Sequence, residues 1–479
     1  MKLSLPPRLV KPSLDAHSAI GLVVGALMYL ICLTGTIAAL AETFERWEQP
    51  GIPEFVDVPQ GTTAAAIANY RERMTAAPES LWVLYPTQAF PRLHVSDGEE
   101  EWFTDSDGRF LDAPHDGWIH MVEALHVRLH LPETIGFIIV SSIGVMLLAL
   151  ILSGIAAHPR IFRDAFTLRL GGSERLEQAD WHNRLSVWGL PFHLMIAITG
   201  AFYGLVGVLA YSAANAYFDG DLDAMFDAVY GKDPVLTAQA RPLEPEAALS
   251  ALRELHPQVR PLYLVVHKMD TEAQYMEIAA EVPGRLAWSE IYRFDAAGTY
   301  IGSQELTSGP AGRQFLYSLY RIHFGYFGTY STRILWALLG LSLTIVSVTG
   351  VNVWLKRRGR ADIVDRLWSG TVWGSGLALV LSAIGSVLLG LSPFAVLLTT
   401  LAAALLTASR TEQEQRLTAH LKASIGGCFA LLALGHTVLF WPDTNEPYVI
   451  AVNITLLIGC GVMSGWVWRA YRPELSASH

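Results

Sequence analysis

Four histidines lie beside long apolar runs, where an ionisable side chain is costly enough to mark a functional site. The histidines and the runs they precede are His17 (19–41), His126 (135–157), His182 (185–210) and His323 (334–355). If the runs cross a membrane alternately, His17 and His182 share one side, and His126 and His323 share the other. Neutral imidazole is a good iron ligand, and six-coordinate b-type haem needs two axial ligands. The spacing therefore predicts two haems, one held by each pair of histidines.

Three further histidines are alternatives for these roles. His130 lies four residues after His126, on the same face if the helix extends outward, and is either a rival ligand or a hydrogen-bond partner. His193 lies eleven residues after His182, about 16 Å deeper by helical rise. It is either a ligand of a mid-membrane haem or a hydrogen-bonded histidine or proton relay of the helix bundle. His158 ends the second run, as a rival ligand or as an interfacial residue beside phosphate headgroups.

The composition indicates a polytopic membrane protein. Of 479 residues, 52% are hydrophobic and 16% are charged, and the mean hydropathy is +0.33. A membrane-spanning helix needs about 17 to 25 apolar residues. Eight segments meet or approach that length: 19–41, 135–157, 185–210, 334–355, 371–390, 393–409, 423–440 and 448–468. We therefore predict a mainly α-helical bundle of about eight membrane helices, four of which form a haem-binding core.

The distribution of Lys and Arg predicts the orientation, because short cytoplasmic connections retain positive charge. Basic residues precede the first segment and fill every second connection, among them 160–175, 356–360 and 410–422. Both termini are therefore predicted in the cytoplasm, with the polar segments 42–134 and 211–333 outside the membrane. The three cysteines lie inside apolar segments, which excludes a disulfide framework outside the membrane. The acidic exterior gives no reason to expect a nucleic-acid partner.

The two exterior segments resemble each other, and each is predicted to be a small periplasmic α+β module. The first contains a helical pattern at 63–74 and strand patterns at 81–85 and 92–95; the second contains a helix at 245–256 and strands at 261–267, 274–280 and 292–301. Each ends in a turn with Asp and Gly, residues that favour turn geometry. The predicted domains are a first span (14–43), a first module (44–131), two spans (132–210) around a basic cytoplasmic loop (158–181), a second module (211–330), a fourth span (331–358) and a C-terminal four-helix region (371–470).

Four stretches combine a histidine at one end with a small-residue pair at the other. They are DAHSAIGLVVGALMYLICLTG, LHVRLHLPETIGFIIVSSIGVMLLALILSG, DWHNRLSVWGLPFHLMIAITGAFYGL and RIHFGYFGTYSTRILWALLGLSLTIVSVTG. The pair is Thr-Gly in three stretches and Ser-Gly in the second, and its glycine serves close helix packing or makes room for a porphyrin. In this order the stretches resemble the four-helix module of the PepSY-associated transmembrane proteins, over residues 14 to about 358.

The resemblance implies an inner-membrane ferric-siderophore reductase that carries b-type haem and has PepSY-like folds in the periplasm. Electrons would cross the membrane and reduce Fe(III), held by a siderophore or another metal complex, to Fe(II). The donor is left as a quinol or a cytoplasmic reductase, and residues 371–470 lie outside the resemblance. The alternative is a membrane-anchored protein whose PepSY-like modules bind a peptide or a partner and which has no redox activity.

Overall fold

The computed structural model describes residues 6–74, 77–158, 160–166, 169, 173–232, 234, 242–328 and 330–476. In chain order the α-helices are α1 (Pro7–Ala38), α2 (Ala41–Glu48), α3 (Thr62–Arg73), α4 (Trp118–Arg128), α5 (Glu133–Ala157), α6 (Ile161–Asp164), α7 (Glu174–Trp188), α8 (Leu190–Tyr217), α9 (Leu222–Tyr230), α10 (Pro245–Leu255), α11 (Ala311–Phe324), α12 (Tyr330–Arg358), α13 (Ile363–Leu389), α14 (Pro393–Arg410), α15 (Glu414–Leu439) and α16 (Pro447–Ser476). The strands are β1 (Ser80–Leu84), β2 (Leu93–Ser96), β3 (Glu101–Thr104), β4 (Arg260–His267), β5 (Tyr275–Glu281), β6 (Glu290–Asp295) and β7 (Tyr300–Ser303).

The chain divides into two compact units, each assembled from separate stretches of sequence. Unit 1 takes in the described residues of Met1–Pro50, Asp116–Leu205 and Arg333–His479, and unit 2 those of Gly51–His115 and Val206–Thr332. The described part of unit 1 is helical, and unit 2 contains the β-strands. Both long polar segments of the sequence therefore contribute to the same unit.

Eight helices among the described residues are long and apolar enough to cross a membrane, as predicted for a multi-pass membrane protein. They are Arg8–Ala38, Glu133–Ala157, Leu190–Tyr217, Tyr330–Arg358, Ile363–Leu389, Pro393–Arg410, Glu414–Leu439 and Pro447–Arg469. The sixth, which has the shortest apolar run in the sequence, is still an 18-residue helix. Its length is at the lower end of what a hydrocarbon layer requires.

A break in the backbone separates α4, which carries His126, from the membrane helix α5. Leu129 and His130 both have a φ of 54°, in the left-handed region that ends a right-handed helix. Pro132 then precedes the first residue of α5. Because the helix does not continue past α4, His130 does not share a helical face with His126. A separate helix of 11 residues presents His126.

Unit 2 contains one antiparallel sheet with the strand order β3-β2-β1-β4-β5-β6-β7. Strand β1 of the first polar segment pairs with β4 of the second, and Trp82 lies opposite Val265. Residues of α3 and α10, among them Ile67 and Leu252, are buried in the same core as residues of the sheet. The two predicted modules therefore share a single sheet and a single core.

Two glycines bring the turns of unit 2 close to its helices. Gly108 and Gly298 have φ values of +78° and +82°, which glycine adopts at little cost. A Cβ on Gly108 would stand 2.7 Å from the backbone nitrogen of Ala66 in α3, and one on Gly298 would stand 2.6 Å from that of Ala248 in α10. The repeated Asp and Gly turn thus fits the sheet edge against a helix in each half.

Candidate functional site

His17 and His182 lie side by side in unit 1. His17 is on α1 and His182 is on α7, and their ring centroids are 6.2 Å apart with the ring planes at 81°. Metal–imidazole bonds are about 2 Å long and the ring centre lies roughly 1.2 Å beyond the nitrogen, so two imidazoles on opposite sides of one ion have centroids about 6 Å apart. The separation of the two rings therefore fits two axial ligands of a single iron.

Each of these rings is oriented by a hydrogen bond from Nδ1. His17 Nδ1 donates to the carbonyl of Leu150 on α5 at 2.9 Å, and His182 Nδ1 donates to the carbonyl of Val346 on α12 at 3.0 Å. A neutral ring that donates through Nδ1 carries its lone pair on Nε2, where a metal can bind. Burial lowers the pKa of His182 to about 4, and the neighbouring His17 acts in the same direction. His182 is therefore neutral at physiological pH, as a metal ligand must be.

His126 shows the same arrangement near the other end of α1. Its Nδ1 donates to the carbonyl of Ile31 at 2.9 Å, so its lone pair is also on Nε2. Burial lowers the pKa of His126, which keeps the ring neutral. Three of the four histidines singled out by the sequence are thus held in the same way by a neighbouring helix.

The three acceptor carbonyls share a local sequence pattern: each lies three residues before a Ser or Thr and four before a Gly. The sets are Ile31, Thr34 and Gly35 on α1, Leu150, Ser153 and Gly154 on α5, and Val346, Thr349 and Gly350 on α12. A Cβ on Gly154 or Gly350 would stand 3.1 Å from Cε1 of the histidine it faces, and one on Gly35 only 2.4 Å from Cε1 of His126. The small pair therefore makes the surface on which an imidazole lies. We call each such set a histidine seat.

Hydroxyl groups complete each histidine seat. The hydroxyls of Thr34, Ser153 and Thr349 each donate within their own helix to the carbonyl that the histidine also uses, at 3.2, 3.2 and 3.1 Å. The hydroxyl of Thr199 on α8 also donates within its own helix, to the carbonyls three and four residues earlier. The Thr-Gly or Ser-Gly pairs on α1, α5 and α12 are therefore part of the surfaces that hold the three histidines.

His323 lies in unit 2, near the end of α11. Its ring packs edge-on against Phe324, with the centroids 5.2 Å apart. His126 and His323 belong to different units, so their pairing stays a prediction from the sequence.

The three alternative histidines have contacts of other kinds. His130 donates through Nε2 to a backbone carbonyl of α4 at 3.0 Å, and its ring stacks on Phe394 of α14 with the centroids 4.1 Å apart. His193 is 2% exposed, and its Nε2 lies 3.3 Å from the hydroxyl of Ser342 on α12. His158 is the C-cap residue of α5. The contacts of His130 and His193 favour the hydrogen-bonding roles among the alternatives.

Trp47 and His436 form a buried contact that no sequence pattern indicates. Their rings stack with centroids 4.2 Å apart, and His436 Nε2 donates to the carbonyl of Trp47 at 2.8 Å. The next residue, Glu48, accepts hydrogen bonds from the backbone N–H groups of Trp118 and Ile119 at the start of α4. Trp47 and His436 are 389 positions apart in the sequence, so only the tertiary structure connects them.

One comparison with known proteins covers the region that holds the four histidines. The family described as PepSY-associated TM region matches residues 14–357. An uncharacterized protein of Pseudomonas aeruginosa is 26% identical over 282 residues, which cover 54% of this chain and 71% of that protein. The family match ends before α13 begins.

Proposed function

Since the chain belongs to the family of PepSY-associated transmembrane proteins, we propose that it carries electrons through b-type haem across a bacterial inner membrane and reduces a ferric siderophore in the periplasm. The observation that carries the proposal is the pair of His17 and His182, whose ring centroids are 6.2 Å apart. Ionisable side chains at membrane helices are costly and are usually paired for a function. His17 and His182 would hold the haem iron through Nε2, the nitrogen that the hydrogen bond from each Nδ1 leaves with a lone pair.

The residues present fit haem better than a metal site made of protein ligands alone. Among the described residues no group of three or more His, Cys, Asp or Glu side chains is placed to hold a metal ion, whereas haem needs only two axial ligands from the protein. When bound, b-type haem would supply a one-electron redox centre. The task of the chain is to hold two neutral imidazoles at the right separation and to fix their orientation through Nδ1, which also makes Nε2 a stronger ligand.

We assign His126 to a second haem, with His323 as the partner that the sequence predicts. The support is the hydrogen bond from His126 Nδ1 to a backbone carbonyl, which repeats the bond made by His17 and by His182. The hydrocarbon layer that electrons must cross is about 30 Å thick. Two sites on opposite sides of the membrane divide that distance into shorter steps.

The proposed reaction is a one-electron reduction of iron outside the cytoplasm. Fe(III) in a siderophore, or in another periplasmic metal complex, takes up one electron and becomes Fe(II), which hard oxygen ligands hold less tightly because its charge is lower. The donor is a quinol, which gives two electrons and two protons for two such reductions, or a cytoplasmic reductase. The basic connections of the sequence support cytoplasmic termini and a periplasmic unit 2.

The absorption spectrum of the purified full-length chain, oxidised and reduced with dithionite, tests the proposal. We expect about two haem b per chain by pyridine haemochrome, because two pairs of axial histidines are assigned. His182→Ala should remove about one of them, whereas His420→Ala, the control at an exposed histidine of α15, should remove neither. A colourless protein despite a supply of haem would overturn the proposal in favour of a membrane-anchored PepSY protein that binds a peptide or partner.

The acceptor is tested separately by mixing the reduced protein with a ferric siderophore and a chelator that colours only with Fe(II). We expect colour to develop with the native chain and much more slowly with His182→Ala. If the chain contains haem but does not reduce such complexes, the electron-transfer role would stand and the ferric siderophore would not be its acceptor.

A further inference from the structure

Four helices, α13 to α16, lie beyond residue 357, where the family match ends. Helix α13 packs against α14 and α15, and α15 packs against α16, so the four form one bundle. The same bundle contacts α2 and α4. Since α4 carries His126, the bundle touches the element that presents a proposed haem ligand.

One face of α4 is attached directly to this C-terminal bundle. Trp118 is 7% exposed, and its indole Nε1 donates to the carbonyl of Leu379 on α13 at 2.9 Å. Ile119, Val122 and Leu125 are buried in one apolar core with side chains of all four bundle helices. A helix of 11 residues is not stable by itself in water. Helix α4 also packs against α1 and α5, so the bundle is one of the partners that determine where α4 lies.

A second attachment runs through α2 to the start of α4. Trp47 is 1% exposed, it stacks on His436 of α15, and its Nε1 donates to the side-chain oxygen of Asn453 on α16 at 3.0 Å. The carboxylate of the next residue, Glu48, accepts from the first two backbone N–H groups of α4 at 2.9 and 2.7 Å. Such N–H groups have no partner within a helix, so this cap holds the start of α4.

A third attachment lies just past the end of α4. The ring of His130 stacks on Phe394 of α14 with an angle of 26° between the planes. Between the attachments at the two ends, His126 reaches its seat on α1 and donates to the carbonyl of Ile31. The bundle and the seat on α1 thus both contact α4.

We propose that α13 to α16 position α4 so that His126 meets its seat on α1, and that they thereby set the affinity and the reduction potential of the haem at His126. This inference rests on the proposed function, since it concerns the same haem. Trp118, Trp47, His436 and Phe394 act through α4 and are positioning residues.

The test compares two tryptophan variants of the full-length chain purified with haem. Trp118→Phe removes the hydrogen bond from α4 to α13 and keeps an aromatic ring. Trp368→Phe is the matched control, because Nε1 of Trp368 on α13 donates to Asn352 on α12 at 2.8 Å, and neither residue is on α4. Phe394→Ala, which removes the stack on His130, is a second and independent change.

We measure amide hydrogen exchange of residues 118–130, the low-spin EPR signals and the midpoint potential of each haem. Trp118→Phe and Phe394→Ala should speed exchange in this segment at least about fivefold, because the local opening energy falls when an attachment is lost. They should also shift the midpoint potential of the haem at His126. The midpoint potential of the other haem, which His182→Ala lacks, should not change. Trp368→Phe should resemble the native chain in exchange of 118–130 and in the potential of the haem at His126.

Unchanged exchange in both α4 variants would overturn the inference. So would faster exchange with both potentials unchanged, because the bundle would then stabilise α4 without affecting the ligand. A native chain without haem would defeat the proposed function instead, and the exchange rates would still decide whether the bundle holds α4.

Discussion

The glycines of the histidine seats decide how closely each imidazole approaches its helix. The ring of His126 lies nearest, since a Cβ on Gly35 would come within 2.4 Å of its Cε1, compared with 3.1 Å for Gly350 and His182. A contact of 2.4 Å is shorter than carbon atoms tolerate, so the ring of His126 would have to move. At 3.1 Å a displacement of a few tenths of an ångström is enough.

Gly35→Ala should therefore displace His126 and remove about one of the two proposed haems, whereas Gly350→Ala should retain both and change only the spectrum of one. Gly207→Ala is the control, because a Cβ on this glycine of α8 has no neighbour within 4 Å among the described residues. In a helix that change alters stability by about 1 kcal/mol at most. Haem content per chain and the EPR spectrum measure the result. Equal haem content in the Gly35 and Gly207 variants would show that the seat does not determine ligation.

Helix α4 depends on a buried carboxylate at its start. Glu48 is 8% exposed. Burial raises the pKa of this carboxyl from its usual 4.5 to about 7, and the negative charge of Glu123 acts in the same direction. Burial also raises the pKa of Glu123 to about 7, with a further contribution from Glu42. The folded chain therefore binds protons at these groups more tightly than the unfolded chain does.

The pH dependence of stability should follow from Glu48. A folded pKa above the unfolded value means that stability is greatest below about pH 4.5 and falls as the pH rises through about 7, by roughly 3 kcal/mol for this shift. Glu48→Gln keeps an oxygen acceptor for α4 but cannot ionise, so its thermal midpoint should change less between about pH 5 and about pH 8. Glu123→Gln should change the profile in the same direction, and Glu99→Gln, at an exposed position in the β2–β3 connection, should not. If the thermal midpoints of the native chain and of Glu48→Gln changed with pH in parallel, Glu48 would not be the source of the pH dependence.

Elements with strong local signals were predictable from the sequence, whereas their assembly was not. The helix predicted at 245–256 is found as α10, Pro245–Leu255, because apolar periodicity and Pro245 mark it locally. The joining of β1 to β4, the break before Pro132 and the stacking of Trp47 on His436 depend on residues far apart in the chain or on packing. At the candidate site, the positions of the histidines beside the apolar runs predicted that His17 and His182 lie on the same side of the membrane. The seats that hold them became visible only in three dimensions.

The whole chain combines a helical unit that holds three seated histidines with a separate unit built on one sheet. Both polar segments belong to unit 2, so its sheet combines strands that α5, α7 and α8 separate in the chain. Acidic residues are frequent in unit 2, whereas Lys and Arg recur within 160–175, 356–360 and 410–422, at and beyond the ends of α5, α12 and α14. This charge distribution supports the proposed orientation, and with it the proposed direction of electron transfer.

Cysteine labelling tests that orientation in cells. In a chain whose Cys32, Cys428 and Cys460 are replaced by Ala, we would introduce Glu99→Cys in unit 2 or Glu412→Cys in the α14–α15 connection, both at exposed positions. A membrane-impermeant maleimide applied to spheroplasts should label the first cysteine at once and the second only after detergent opens the membrane. The reverse pattern would place the sheet in the cytoplasm. Because a siderophore complex arrives from outside, that result would require electrons to flow the other way and would contradict periplasmic iron reduction, even in a chain that binds two haems.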